Sequence, residues 1–86
     1  MLFLIDKPMA EIGFRTAKAA ADPEIVLLQD GVFLDPDEWL DAAGVPVYAV
    51  ERDLDVRGVT PPPGVDPIPY DELVDRIFDQ EVKSFV

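Results

Sequence analysis

The chain has 86 residues, 18 of them acidic against 7 basic, with no histidine and a net charge of −11. That balance excludes a direct grip on nucleic acid, which needs clustered Lys and Arg to release counterions, and it disfavours anionic membranes; Lys7, Arg15, Lys18, Arg52, Arg57, Arg76 and Lys83 stand singly among carboxylates. The absence of cysteine removes disulfides, thiolate catalysis and Cys-ligated metals, while 49% hydrophobic residues beside 29% charged ones mark a globular chain and not an acidic tail.

A chain this short supplies one core, so residues 1–86 are expected to form a single domain whose limited burial makes association with other chains favourable. The excess of Asp with only three Lys also suits a surface kept soluble at high salt, so a halophilic origin is an expectation from composition. The opening MLFLID lacks the length and positive flank of a signal peptide, and no apolar run reaches a membrane span. A cytoplasmic protein is therefore expected.

Leu2-Phe3-Leu4-Ile5 predicts a buried strand ended by the turn Asp6-Lys7-Pro8. Met9 to Ala21 is expected to be helical, and Asp22-Pro23 ends it because the residue before proline is pushed out of the helical region. Glu24 to Gln29 then forms a second apolar strand. Asp35-Pro36-Asp37-Glu38 reads as a helix start, with Asp as N-cap, Pro in the first turn and acids against the positive end of the dipole, and Gly44 is expected to close that helix.

Pro46 to Glu51 predicts a third strand, and Glu51 to Arg57 a short helix or turn ended by Gly58. Thr60-Pro61-Pro62-Pro63-Gly64 is a stiff loop. Two prolines in Asp66-Pro67-Ile68-Pro69 allow only a brief strand, or one at a sheet edge, because proline donates no ladder bond. Leu73, Val74, Ile77 and Phe78 recur at helical spacing between Asp71 and Gln80, and Val82 to Val86 can supply a last strand. Continuous apolar strands alternating with helices predict an α/β fold: a small Rossmann-like three-layer sandwich, its mostly parallel sheet of four to five strands covered by helices on both faces.

Such sheets bind ligands beyond the carboxyl ends of their strands, where strand order reverses. Three polar loops fall there: Asp6-Lys7-Pro8, Gln29-Asp30-Gly31 and Glu51-Arg52-Asp53. Each also has a structural reading. Asp-Gly is a common turn pair, Asp6 and Lys7 suit a strand-end turn, and Glu51 to Asp53 suits a solvated helix start. Trp39 is either a core anchor or an exposed contact residue, and Tyr48 is the other aromatic of interest, since Trp and Tyr are enriched at interfaces.

Nothing points to catalysis by the chain alone. Neither the GxGxxG nor the Walker pattern occurs, and Ser84 and Thr16 lack an activating partner. Scattered carboxylates make no metal-ligand spacing, so neither a metal nor a cofactor is expected.

The order of short motifs resembles the DsrH/TusB family of small sulfur-relay proteins, within the wider DsrE/F/H group. The matching segments are Asp6-Lys7-Pro8, Gln29-Asp30-Gly31-Val32-Phe33, Tyr48-Ala49-Val50, Asp53-Leu54-Asp55-Val56-Arg57-Gly58, the helix carrying Tyr70, Leu73, Val74 and Asp75, and a tail with Val82, Ser84 and Phe85. The resemblance implies a subunit of a hetero-oligomer with DsrE-like and DsrF-like (TusD-like and TusC-like) partners. Such assemblies pass persulfide sulfur toward 2-thiouridine at the tRNA wobble position, or act in sulfur oxidation.

Some family members carry a cysteine in the first helix, and Phe14-Arg15-Thr16-Ala17 has none. A cysteine-less member can only be an accessory subunit whose partners supply the thiol. Asp6, Lys7, Gln29, Asp30, Gly31, Phe33, Trp39 and Tyr48 are its candidate binding or interface residues. The alternative is a homo-oligomeric small-molecule binding module with a concave site near Asp6, Lys7, Gln29 and Asp30.

Overall fold

The computed structural model describes residues 1–40 and 44–86. Five parallel strands, β1 (Leu2–Ile5), β2 (Glu24–Leu27), β3 (Val47–Val50), β4 (Val65–Ile68) and β5 (Val82–Phe85), lie in the order β4-β3-β2-β1-β5. Between them run three α-helices, α1 (Ala10–Ala19), α2 (Glu51–Arg57) and α3 (Tyr70–Asp79). The Rossmann-like sandwich expected from the strand and helix alternation is what the chain forms.

Strand order follows from the direction of the crossovers. From β1 to β4 each new strand is added on the same side, and only β5 returns to the far side of β1. Because crossovers keep one hand, reversing direction moves the connecting helix to the opposite face. Accordingly α1 and α2 pack on one face and α3 on the other.

Alternation along each strand sorts the core into two halves. Phe3, Ile5, Ile25, Leu27, Val47 and Ala49 point to the α1/α2 face, where they meet Phe14 and Ala17 of α1, Val32, and Leu54 of α2. Leu2, Val26 and Val50 point the other way, toward Ile68 of β4 and Leu73 of α3. Strands β1 and β2, buried on both sides, need apolar residues at consecutive positions, which explains their unbroken hydrophobic runs.

Element boundaries shift from expectation at polar strand ends. The first helix starts at Ala10 after a 3-10 turn at Lys7–Met9, whose N-cap Asp6 accepts the Lys7 N–H at 2.7 Å. Strand β2 ends at Leu27, and Gln29–Phe33 forms a 3-10 helix that apolar periodicity does not announce. Pro36–Glu38 is a 3-10 turn capped by Asp35, whose Oδ1 accepts the Asp37 N–H at 3.0 Å. The helix expected there begins as this turn, with Trp39 as its C-cap. The expected helix up to Gly44 does not follow: Trp39 is a turn and Leu40 is non-helical, while residues 41–43 of that stretch lie outside the described residues.

Helix α2 ends as expected at Gly58, whose left-handed φ of 65° suits glycine. Strand β4 occupies an edge, the position its prolines require. Strand β5 forms the other edge and ends at Phe85.

Candidate functional site at the carboxyl ends of the strands

The reversal in strand order falls between β1 and β5, so the loop after β1 sits at the switch point of the sheet. Asp6 is tied there from two sides: its N–H donates to the Phe85 carbonyl at 2.9 Å, and its side chain caps the following turn. Lys7 extends over the ring of Phe33, with Nζ 5.9 Å from the centroid. Phe33 itself is 52% exposed, an apolar ring held at the surface on the 3-10 helix that packs against the turn at Lys7–Met9.

The Gln29-Asp30-Gly31 segment is a clasp. Gln29 takes a left-handed φ of 53°, unusual for a residue with a side chain, and its N–H is fixed by Asp53 Oδ2 at 2.8 Å. Asp30 Oδ1 accepts from Arg57 Nε at 2.9 Å, and Arg57 also donates to Asp53 Oδ1 at 3.3 Å. The Asp30 hydrogen bond, opposed by partial desolvation and aided by the charges of Asp30, Asp53 and Asp6, raises the Arg57 pKa above the usual arginine value. The end of β2 is thus bound to α2 through three side chains.

Gly31 is required by a close approach. A Cβ on it would lie 2.3 Å from the carbonyl oxygen of Ile5, inside any tolerable contact with backbone. The residue is buried, and the 3-10 helix crosses directly over the end of β1. These three residues therefore do more than stop the strand: they join the ends of β1 and β2 to α2.

Trp39 stacks on Phe14, with ring centroids 5.5 Å apart and an interplanar angle of 9°, and is partly buried against the α1/α2 half of the core. Both readings of the residue meet in this position: its ring is stacked on Phe14, and the residue also lines an open surface pocket with Arg15 and Lys18. Tyr48 faces the other half. The Arg76 guanidinium lies 4.1 Å from its ring centroid and also bonds Glu24 and Glu72. Burial works against the charge of Arg76, but the Glu24 bond and the fields of Tyr48, Glu24 and Glu72 outweigh it and leave its pKa raised.

A groove of about 370 Å³ opens on the α3 face. Leu4, Leu28 and Val50 line it from the strand ends and Tyr70, Leu73 and Ile77 from α3, with Gln29, Arg52 and Asp53 polar among them. Of the four residues expected around a concave site, only Gln29 borders this one. Asp6 and Asp30 are committed to capping and to Arg57, while Lys7 lies with Phe33. The structure also adds Arg57, which sequence reading left out as a lone surface cation. Its spacing of four residues from Asp53 on one helix was the available signal.

Among the described residues no group of three or more His, Cys, Asp or Glu is placed to hold a metal, and no helix is long and apolar enough to cross a membrane. An open parallel sheet with helices on both faces and its polar loops gathered at the strand ends defines a small Rossmann-like α/β protein. The fold is similar to the crystal structure of the YchN protein from E. coli, with a TM-score of 0.80 over 98% of this chain and 97% of that one at 22% identity. Comparison with curated proteins gives no match. The model of the DsrH-like proteins matches residues 11–82, and the chain belongs to that sulfur-relay family.

Proposed function

We propose that the chain is a non-catalytic accessory subunit of a cytoplasmic DsrE/F/H-type sulfur-transfer complex, linked to 2-thiolation of the tRNA wobble uridine or to sulfur oxidation. The observation that carries this reading is the conjunction of family membership with a sequence that holds no cysteine. Persulfide transfer needs a thiolate on the protein that carries the sulfur. In these 86 residues there is none, so the sulfur must travel on DsrE-like or DsrF-like partners while this chain shapes or completes their assembly.

Surface chemistry supports a role in assembly. Phe33, Ile12 and Met9 are 52%, 47% and 37% exposed, in the first helix and the turns flanking the end of β1. Exposed rings and aliphatic groups are the kind of surface that a partner covers. The acidic remainder of the surface keeps the free chain soluble and directs association to such apolar positions.

The test is affinity purification of the tagged protein from its native host, in the host's own salt, followed by mass spectrometry. Small cysteine-containing DsrE-like and DsrF-like chains in fixed ratio are the expected result. Recovery of the protein only with itself would overturn the reading. In a reconstituted complex, Phe33→Ala is expected to weaken association at least tenfold while leaving the isolated chain folded.

A further inference from the structure

The groove on the α3 face has the features of a small-molecule site. Its volume of about 370 Å³ falls within the range of roughly 300 to 1,000 Å³ common to ligand pockets. It opens at the carboxyl ends of β1, β2 and β3, where open parallel sheets place their ligands. Leu4, Leu28 and Leu73 give it an apolar interior, so that most of a ligand's body would lie against hydrocarbon.

The polar groups at the groove decide which ligand fits. Arg52 borders the groove and has no hydrogen bond or ion pair among the described residues, although acids outnumber bases 18 to 7. Arg15, Arg57 and Arg76, by contrast, are all bound to carboxylates. Asp53, the acid among the residues that line the groove, has one oxygen on the Gln29 N–H and the other on Arg57. Its charge is therefore engaged, and Arg52 remains open to a ligand.

Gln29 reinforces this reading. Its left-handed backbone is held by Asp53, the residue lines the groove, and its side-chain amide makes no hydrogen bond among the described residues. A residue kept in a sparsely populated conformation by its surroundings is characteristic of ligand clamps.

We propose that this groove binds a small organic acid with an apolar body, such as a phenyl ring or branched alkyl chain, whose carboxylate is held by the side chains of Arg52 and Gln29. The planar guanidinium matches a carboxylate with paired hydrogen bonds, and an ammonium ligand would be repelled by it. The net charge of −11 opposes anions at long range. At physiological ionic strength that field is screened beyond about 8 Å, inside which the Arg52 contact dominates. The site is independent of the accessory-subunit role, and its failure would leave that role untouched.

The test is a titration of the full 86-residue chain, labelled with nitrogen-15, with 3-phenylpropionate, followed by amide chemical shifts. Saturable shifts are expected at Gln29, Arg52 and Leu73. The neutral analogue 3-phenylpropionamide and the short acid propionate should each bind at least tenfold more weakly. Arg52→Gln, a change on an exposed helix position, should lower affinity for the acid at least tenfold. Lys83→Gln, which removes a cation from β5, should leave it unchanged. Absence of saturable shifts at the groove overturns the proposal, as does equal binding of acid and amide, or an equal effect of the two substitutions.

Discussion

One face of the sheet carries α1, the 3-10 helix after β2, and α2, while the other carries α3 alone. Five strands set about 4.8 Å apart span about 19 Å, and a helix with its side chains covers about 10 to 12 Å, so a single helix cannot close a face of this width. The first face is accordingly packed around Phe3 and Phe14, which are 0% and 1% exposed. On the second, Leu4, Leu28 and Tyr48 remain only partly buried beside α3, and the groove lies among the strand ends. Crossover direction thus determines which face of the sheet is more completely covered and on which face the groove opens.

Truncations on the two faces should separate them. The largest effect is expected for Phe14→Ala, which empties a fully packed site and removes the stack beneath Trp39, at a cost of about 3 to 5 kcal/mol. Denaturant unfolding followed by the fluorescence of the sole tryptophan reads it directly. Gly31→Ala should come next, near 3 kcal/mol, because the new methyl meets the Ile5 carbonyl and not a yielding side chain. If that variant proved as stable as the parent, the clasp between β1 and β2 would not be under the constraint assigned to it.

On the α3 face, Leu73→Ala should cost about 2 kcal/mol, at the low end for a core leucine, since the site already borders open space. A loss equal to that of Phe14→Ala would mean that the two faces are built alike. Smallest of all should be Phe78→Ser, within about 0.5 kcal/mol by thermal denaturation, because the ring is 84% exposed. A larger loss would show that the isolated chain already covers this part of α3.

Much of the fold was legible because local chemistry and burial agree. Unbroken apolar runs gave β1 and β2, the prolines sent β4 to an edge, and apolar spacing gave α3 to within one residue at each end. The 3-10 helix at Gln29–Phe33 was not legible, since short-range polar turns carry no periodicity. Its signal was chemical: a glycine after two polar residues. Why that glycine is needed lies in Ile5, 26 positions away in sequence and in direct contact in space.

The candidate site divided in the same way. Gln29, Asp30 and Gly31 were marked by their residue types at a strand end, yet the partners that define them, Asp53 and Arg57, come from another helix. Tyr48 was marked as an aromatic, but its contact with Arg76 depends on α3 crossing the sheet. Leu73 and Ile77 read as part of an ordinary apolar helix face, and Tyr70 only as part of the family motif; they became one side of a groove only once α3 lay beside Leu4 and Leu28.

By itself, then, the sequence determined the α/β class, the family motifs and the absence of a thiol, because residue types, short-range periodicity and composition are properties of the chain. Tertiary structure alone decided which carboxylates are engaged, which arginine is left open, and where apolar residues form a core or a groove. Those outcomes depend on distances between segments remote in sequence, and strand order and crossover direction set those distances.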